Sequence, residues 1–102
     1  MTPKTKLTDK VEHRLTIEYV ALDRLARHPE NARRGKVELI TESLVRSGQY
    51  RPLIVSRHTG YVLAGNHLYE AGKKIGLEEM PVTYLDNLSP EAERRIVAID
   101  NR

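Results

Sequence analysis

Apolar positions along the chain change period several times, and each change marks an element. Leu15, Ile17 and Tyr19 alternate with polar residues, which predicts a first strand near His13 to Val20 with those three side chains on one apolar face. Asp23-Arg24-Leu25 suits a short turn, and His28-Pro29-Glu30-Asn31 a loop, because Pro29 pushes His28 out of the helical region and Asn31 favours a turn. Val37, Ile40 and Leu44 then recur at i, i+3 and i+7, with Leu39 and Val45 widening the apolar face; this predicts a helix over Lys36 to Ser47, stopped by Gly48. Pro52 to Ser56 is a nearly continuous apolar strand, of the kind buried on both faces. The Arg57-His58-Thr59-Gly60 turn joins it as a hairpin to a strand over Tyr61 to Ala64. From Leu68 the period lengthens to about 3.6. Leu68, Ala71, Gly72 and Ile75 share one face of a helix over Asn66 to Ile75, closed by Gly76. Pro81 to Leu85 reads as a fourth strand entered through Pro81 at its edge. Ser89 as N-cap, Pro90 at the first helical position and Glu91 and Glu93 on the helix dipole start a last helix with Ala92, Ile96 and Ile99 as its seam. The sum is an α+β fold, a small mixed sheet of about four strands packed with three helices.

That last helix meets no stop signal before Arg102, so the expectation is either a short fold that docks its C-terminal helix or a fragment of a longer protein, with the fragment slightly favoured. Residues 1–12 are polar and basic without periodicity and are expected to form a flexible arm before a single domain over 13–102. The length of 102 residues and 39% hydrophobic content suit one modest core, and without Trp or Phe it must be built from Leu, Ile, Val and Ala. The absence of cysteine excludes disulfides, thiolate zinc sites and a cysteine nucleophile. No apolar run approaches the roughly 18–20 residues of a membrane span, and no signal peptide opens the chain, so a cytoplasmic protein with no membrane partner is expected. The net charge of +3 is mild, but its distribution is uneven: Arg24, Arg27, Arg33, Arg34 and Lys36 cluster with Glu30 as the only acid among them. Such a cluster suits the phosphates of nucleotide or of DNA, the latter without sequence preference; a solvated loop explains it equally well.

Candidate chemistry centres on Tyr61 to Gly76. A strand, Gly65 and a helix follow one another, and a residue without Cβ permits a sharp turn and close approach of a ligand. The free N–H groups and positive dipole end of the helix would favour phosphate or carboxylate near Asn66 and His67. Helical spacing puts His67, Glu70 and Lys74 on one stripe and Asn66, Tyr69 and Lys73 on the next. A turn with no ligand and a histidine serving as cap or solvent contact fit the same pattern.

From His28 onward the chain resembles the N-terminal domain of the ParB family, within the ParB/sulfiredoxin superfamily. The resemblance is carried in order by HPENARR, GQYRPLIV, AGNHLYEAGKKIG and PEAERRIVAIDNR, and it is greatest to the small ParB-like domains of phages and of DNA methyltransferase neighbourhoods. It implies that Gly65 opens a phosphate-binding helix beside Gly48 and Pro52, and that Arg33 or Arg34 lies near a nucleotide, CTP or ATP. It also implies that Asp100 and Asn101 lie near Mg²⁺, an ion that prefers oxygen ligands and often takes one or two from protein.

The departures are specific. Partition proteins carry a glutamate and three arginines in the glycine box, where this chain has Asn66, His67, Leu68 and Glu70. Sulfiredoxins carry a catalytic cysteine where this chain has Asn66, which excludes sulfinic acid reduction. The leading expectation is therefore a ParB-like domain that binds nucleotide or phosphate at the Gly65 helix in a DNA-associated system: partition, phage genome handling or transcription control. The alternatives are a phosphotransferase or nucleotidase using His67, Glu30 and Asp100 with Mg²⁺, and a non-catalytic interaction module. Whether it forms a homodimer stays open.

Overall fold

The computed structural model describes residues 15–31 and 37–100. Five strands form one mixed sheet in the order β1-β5-β3-β4-β2. They are β1 (Glu18–Ala21), β2 (Ala26–Arg27), β3 (Leu53–Ser56), β4 (Tyr61–Ala64) and β5 (Glu79–Leu85), accompanied by helices α1 (Val37–Ser47), α2 (Asn66–Lys74) and α3 (Pro90–Asp100). The β3–β4 and β1–β5 pairs are antiparallel, whereas β3–β5 and β2–β4 are parallel. This is the expected α+β class, with one strand more than the apolar pattern showed.

The core follows from strand pairing. Leu53, Val55, Val62, Met80 and Val82 are fully buried and join Val20, Leu22, Leu25 and Tyr69 in one cluster. At about 25 cal/mol per Å² of apolar surface removed from water, this cluster is the main stabilising term. β3 is central and buried, as its unbroken apolar run requires. α2 packs on β3 and β4 and carries α1 on its back, while α3 packs along β4. Gly72 makes the close seat of α2 possible, since a Cβ there would lie 2.5 Å from Met80 Sδ. Successive residues Val62 and Leu63 are both fully buried although only Val62 belongs to the main cluster; α3, with Val97 buried, accounts for the other side.

Five sequence expectations change. Leu15, Ile17 and Tyr19 are 61, 62 and 70% exposed, and the strand starts only at Glu18. Val20 pairs with Met80 and faces the core, and with a side-chain period of two that choice sends Tyr19 outward. Leu39 and Val45 are exposed because α1 rests mainly on α2 and fully buries only Leu44. Asn66 and Tyr69 are buried rather than on a polar stripe: Asn66 Nδ2 donates to Val62 O at 3.1 Å and Tyr69 Oη to Leu25 O at 3.0 Å. On α3 the buried positions are Glu93 and Val97, and Ile99 is exposed. Pro81 lies inside β5, not at its entrance. Leu22 N–H donates to Glu78 O, so inward pairs with β1 fall on even residues of β5 and the Pro81 nitrogen faces β3. The β3 ladder begins only at Val82, so Pro81 forfeits no ladder bond, and its own carbonyl accepts Gln49 Nε2–H at 3.2 Å.

Candidate functional site

The Gly65 turn joins β4 to α2. Gly65 is left-handed (φ 89°, ψ 25°), and a Cβ there would lie 3.0 Å from Leu53 Cδ2, so glycine is required by both backbone and packing. The first helical bond is Tyr69 N–H to Gly65 O at 2.8 Å, and no side chain caps the helix. The amides of Asn66, His67 and Leu68 therefore lack intrahelical acceptors at the positive end of the helix. Two polar atoms beside them are shielded from solvent without a hydrogen-bond partner: His67 Nε2 and Asn66 Oδ1. Buried polar groups of this kind are normally paired, so both are suited to a ligand or water.

Asp100, at the far end of α3, reaches the same turn. Its Oδ2 accepts the Gly65 N–H at 3.1 Å. The fold thus unites Gly65, Asn66, His67 and Asp100 from positions 35 residues apart. Asp100 Oδ1 has no protein partner among the described residues, and no group of three His, Cys, Asp or Glu capable of holding a metal occurs among them. A carboxylate oxygen of this kind fits an Mg²⁺ that arrives with phosphate, because that ion keeps waters and uses few protein ligands. Arg33, Arg34, Lys36 and Asn101 lie outside the described residues, so the expectations resting on them are neither placed nor brought to the site.

The remaining sequence candidates lie elsewhere. Glu30 is exposed and its carboxylate faces Arg94 Nε at 3.8 Å, one turn into α3. Arg94 and Asp100 are six residues apart, about 9 Å along a helix, and no contact joins Glu30 to His67. Arg24 is exposed, while Arg27 Nη2 donates to Asn31 O at 2.8 Å and braces the loop. Lys73 lies over the Tyr69 ring, 5.1 Å from its centroid, and burial pushes the Tyr69 phenol above its ordinary range. No helix of the described residues is long and apolar enough to cross a membrane.

Sequence reasoning passed over one polar cluster altogether. Glu93, expected to act on the helix dipole, is 3% exposed and accepts Ser56 Oγ–H at 2.6 Å, with Thr59 Oγ1 at 3.3 Å and His28 Nε2 at 3.9 Å. Ser56 is fully buried and His28 is 6% exposed. The cluster ties the loop after β2, the β3–β4 hairpin and α3 together. An acid in the first turn of a helix gives no sign of burial; only the pairing of β3 with β4 brings Ser56 and Thr59 beneath it.

No family model and no curated protein matches the chain by sequence. Solved structures match by fold. The C-terminally truncated chromosome-partitioning protein ParB of Caulobacter crescentus, complexed with CTP-γ-S, aligns with TM-score 0.71 and 23% identity over 84% of this chain and 52% of that one. A Pnob8-like ParB-N domain gives TM-score 0.66 and 23% identity, covering 80% of this chain and 34% of that one. Sulfiredoxin of Arabidopsis thaliana gives TM-score 0.65 and 24% identity, covering 80% of this chain and 97% of that one. The chain thus spans about a third to a half of the ParB structures and nearly all of the sulfiredoxin. Its fold is ParB/sulfiredoxin-like.

Proposed function

We propose that this domain binds the phosphate groups of a nucleotide, CTP or ATP, at the N-terminus of α2, with Mg²⁺ carried in beside Asp100, and that it works in a DNA-associated system such as partition, phage genome handling or transcription control. The observation that carries the reading is the set of first-turn amides after Gly65 that no side chain caps, with His67 Nε2 shielded and unpartnered beside them. The amides of Asn66 and His67 would hold phosphate oxygens, His67 would hydrogen-bond one of them, and the bound metal would offset repulsion between phosphate and the Asp100 carboxylate. The ParB structure complexed with CTP-γ-S, and another of the same protein complexed to the centromeric parS site, support a nucleotide and DNA as the partners to test.

The reading stops at binding. Glu30 faces Arg94 rather than His67, and no observation favours phosphotransfer. DNA contact would run through Arg24 and the Arg33, Arg34 and Lys36 segment as phosphate contacts, which position a protein but do not read sequence. One calorimetric series tests both parts: CTP, ATP, GTP and ADP, each with and without Mg²⁺, and a duplex DNA at two salt concentrations. A triphosphate is expected to bind only with Mg²⁺, and the duplex weakly, without sequence preference and less at high salt. Absence of binding by every nucleotide under both conditions contradicts the reading.

A further inference from the structure

The turn after β2 is held by a hydrogen bond whose existence depends on protonation. Glu30 N–H donates to His28 Nδ1 at 3.0 Å, and Asn31 N–H to His28 O at 3.0 Å. Because Nδ1 accepts, its lone pair is occupied, and the single proton of the neutral ring lies on Nε2. That nitrogen faces Glu93 Oε1 at 3.9 Å. The ring also stands edge-on to Tyr61, centroids 5.2 Å apart.

We propose that His28 is a protonation latch: neutral, it holds the Glu30 amide inside the His28–Asn31 turn; protonated, it gives up that one bond while its ring stays seated against Glu93. A proton from solvent adds to the Nδ1 lone pair and converts the acceptor into a donor. Two N–H groups then point at one another across 3.0 Å, and the Glu30 bond is lost. The new positive charge has a counterion in place. Glu93 faces it from α3, held by Ser56 Oγ–H and Thr59 Oγ1, so the fold can accept the charge in a site only 6% exposed.

The other charged and titratable groups near the ring are few. Arg94 comes from α3 and pairs with Glu30, Tyr61 comes from β4, and Arg27 reaches Asn31 O from β2. None takes the place of Nδ1 as acceptor for the Glu30 amide. The change therefore stays local to the Glu30 amide, because the Asn31 N–H to His28 O bond and the Arg27 brace on Asn31 O do not depend on Nδ1. The latch stands on His28 geometry and is independent of whether α2 binds phosphate.

The test follows the full chain by NMR as the pH is lowered from about 8 to about 5. His28 is monitored through its Cε1 proton and the turn through amide exchange, expressed as protection relative to the free peptide rate. Glu30 should lose about tenfold protection, the scale of one hydrogen bond, in step with any movement of the His28 Cε1 proton shift, while Val62 and Val82 keep theirs. In His28→Asn the side-chain oxygen can accept the amide two residues on but takes up no proton, so Glu30 protection should be flat with pH. Glu30 protection that does not follow His28 in the wild type, or the same pH response in His28→Asn, overturns the latch. So does loss of Val62 and Val82 protection together with Glu30, which would mean global unfolding.

Discussion

Gly65→Val should lower the melting temperature by roughly 10–20 °C, and the molecules that remain folded should no longer bind a nucleotide. The stability loss has two sources. A φ of 89° is strained for any residue with a Cβ, at about 1–3 kcal/mol and worst for a β-branched one. The added carbon would also sit 3.0 Å from Leu53 Cδ2, on a side chain that is fully buried and has little room to yield. The direction of that Cβ matters for function. It points at Leu53, in the core, so valine acts by displacing the turn that carries the Asn66 and His67 amides. Gly65→Ala is therefore expected to lose stability but keep most affinity. Thermal unfolding paired with the affinity of the folded fraction reads both, and unchanged affinity in a folded Gly65→Val protein would sink the phosphate site.

Glu93→Ala should destabilise the fold by about 1–3 kcal/mol, because it strips a charged acceptor from the fully buried Ser56 hydroxyl. Urea unfolding measures it. The loss should be strongly non-additive with Ser56→Ala, since both changes remove the same 2.6 Å hydrogen bond. Glu93→Gln, which keeps an oxygen for Ser56, should recover part of the difference. An exposed acid on a helix dipole contributes only some tenths of a kcal/mol to about 1 kcal/mol, so a small effect of Glu93→Ala would return Glu93 to that role.

How much of this was legible in the chain depended on whether the decisive contact was local. Ser89 does cap α3, its Oγ accepting Ala92 N–H at 3.1 Å, and Gly48, Gly65 and Gly76 all have positive φ, as breaks in period and turn chemistry suggested. The unbroken apolar run at Leu53 marked a central strand. What failed was the choice of face. Alternation at Leu15, Ile17 and Tyr19 is real, but pairing of Val20 with Met80 decides which side is buried, and nothing near residue 20 carries that information. β2 escaped because two residues have no period. Its partner β4 lies 35 residues away, from Ala26 to Tyr61.

The site divided in the same way. Gly65 and His67 could be read from a strand, a glycine and a helix start, whereas the bond from Gly65 N–H to Asp100 needed α3 to run alongside β4. The resemblance pointed to Asp100; periodicity did not. Asn66 looked like a surface polar residue and is instead 3% exposed, fixed by Val62 O, with its own oxygen left over.

The most direct measurement is an amide map: ¹H–¹⁵N spectra of the wild type and His67→Ala, titrated with CTP and with ATP in the presence of Mg²⁺. If phosphate sits on the end of α2, saturable shifts concentrate at Gly65, Asn66, His67 and Asp100. His67→Ala should keep that pattern with affinity weakened by about 1–3 kcal/mol, the scale of a hydrogen bond to a charged group. Saturable shifts confined to residues away from the Gly65 turn, or none at all, would contradict phosphate binding there.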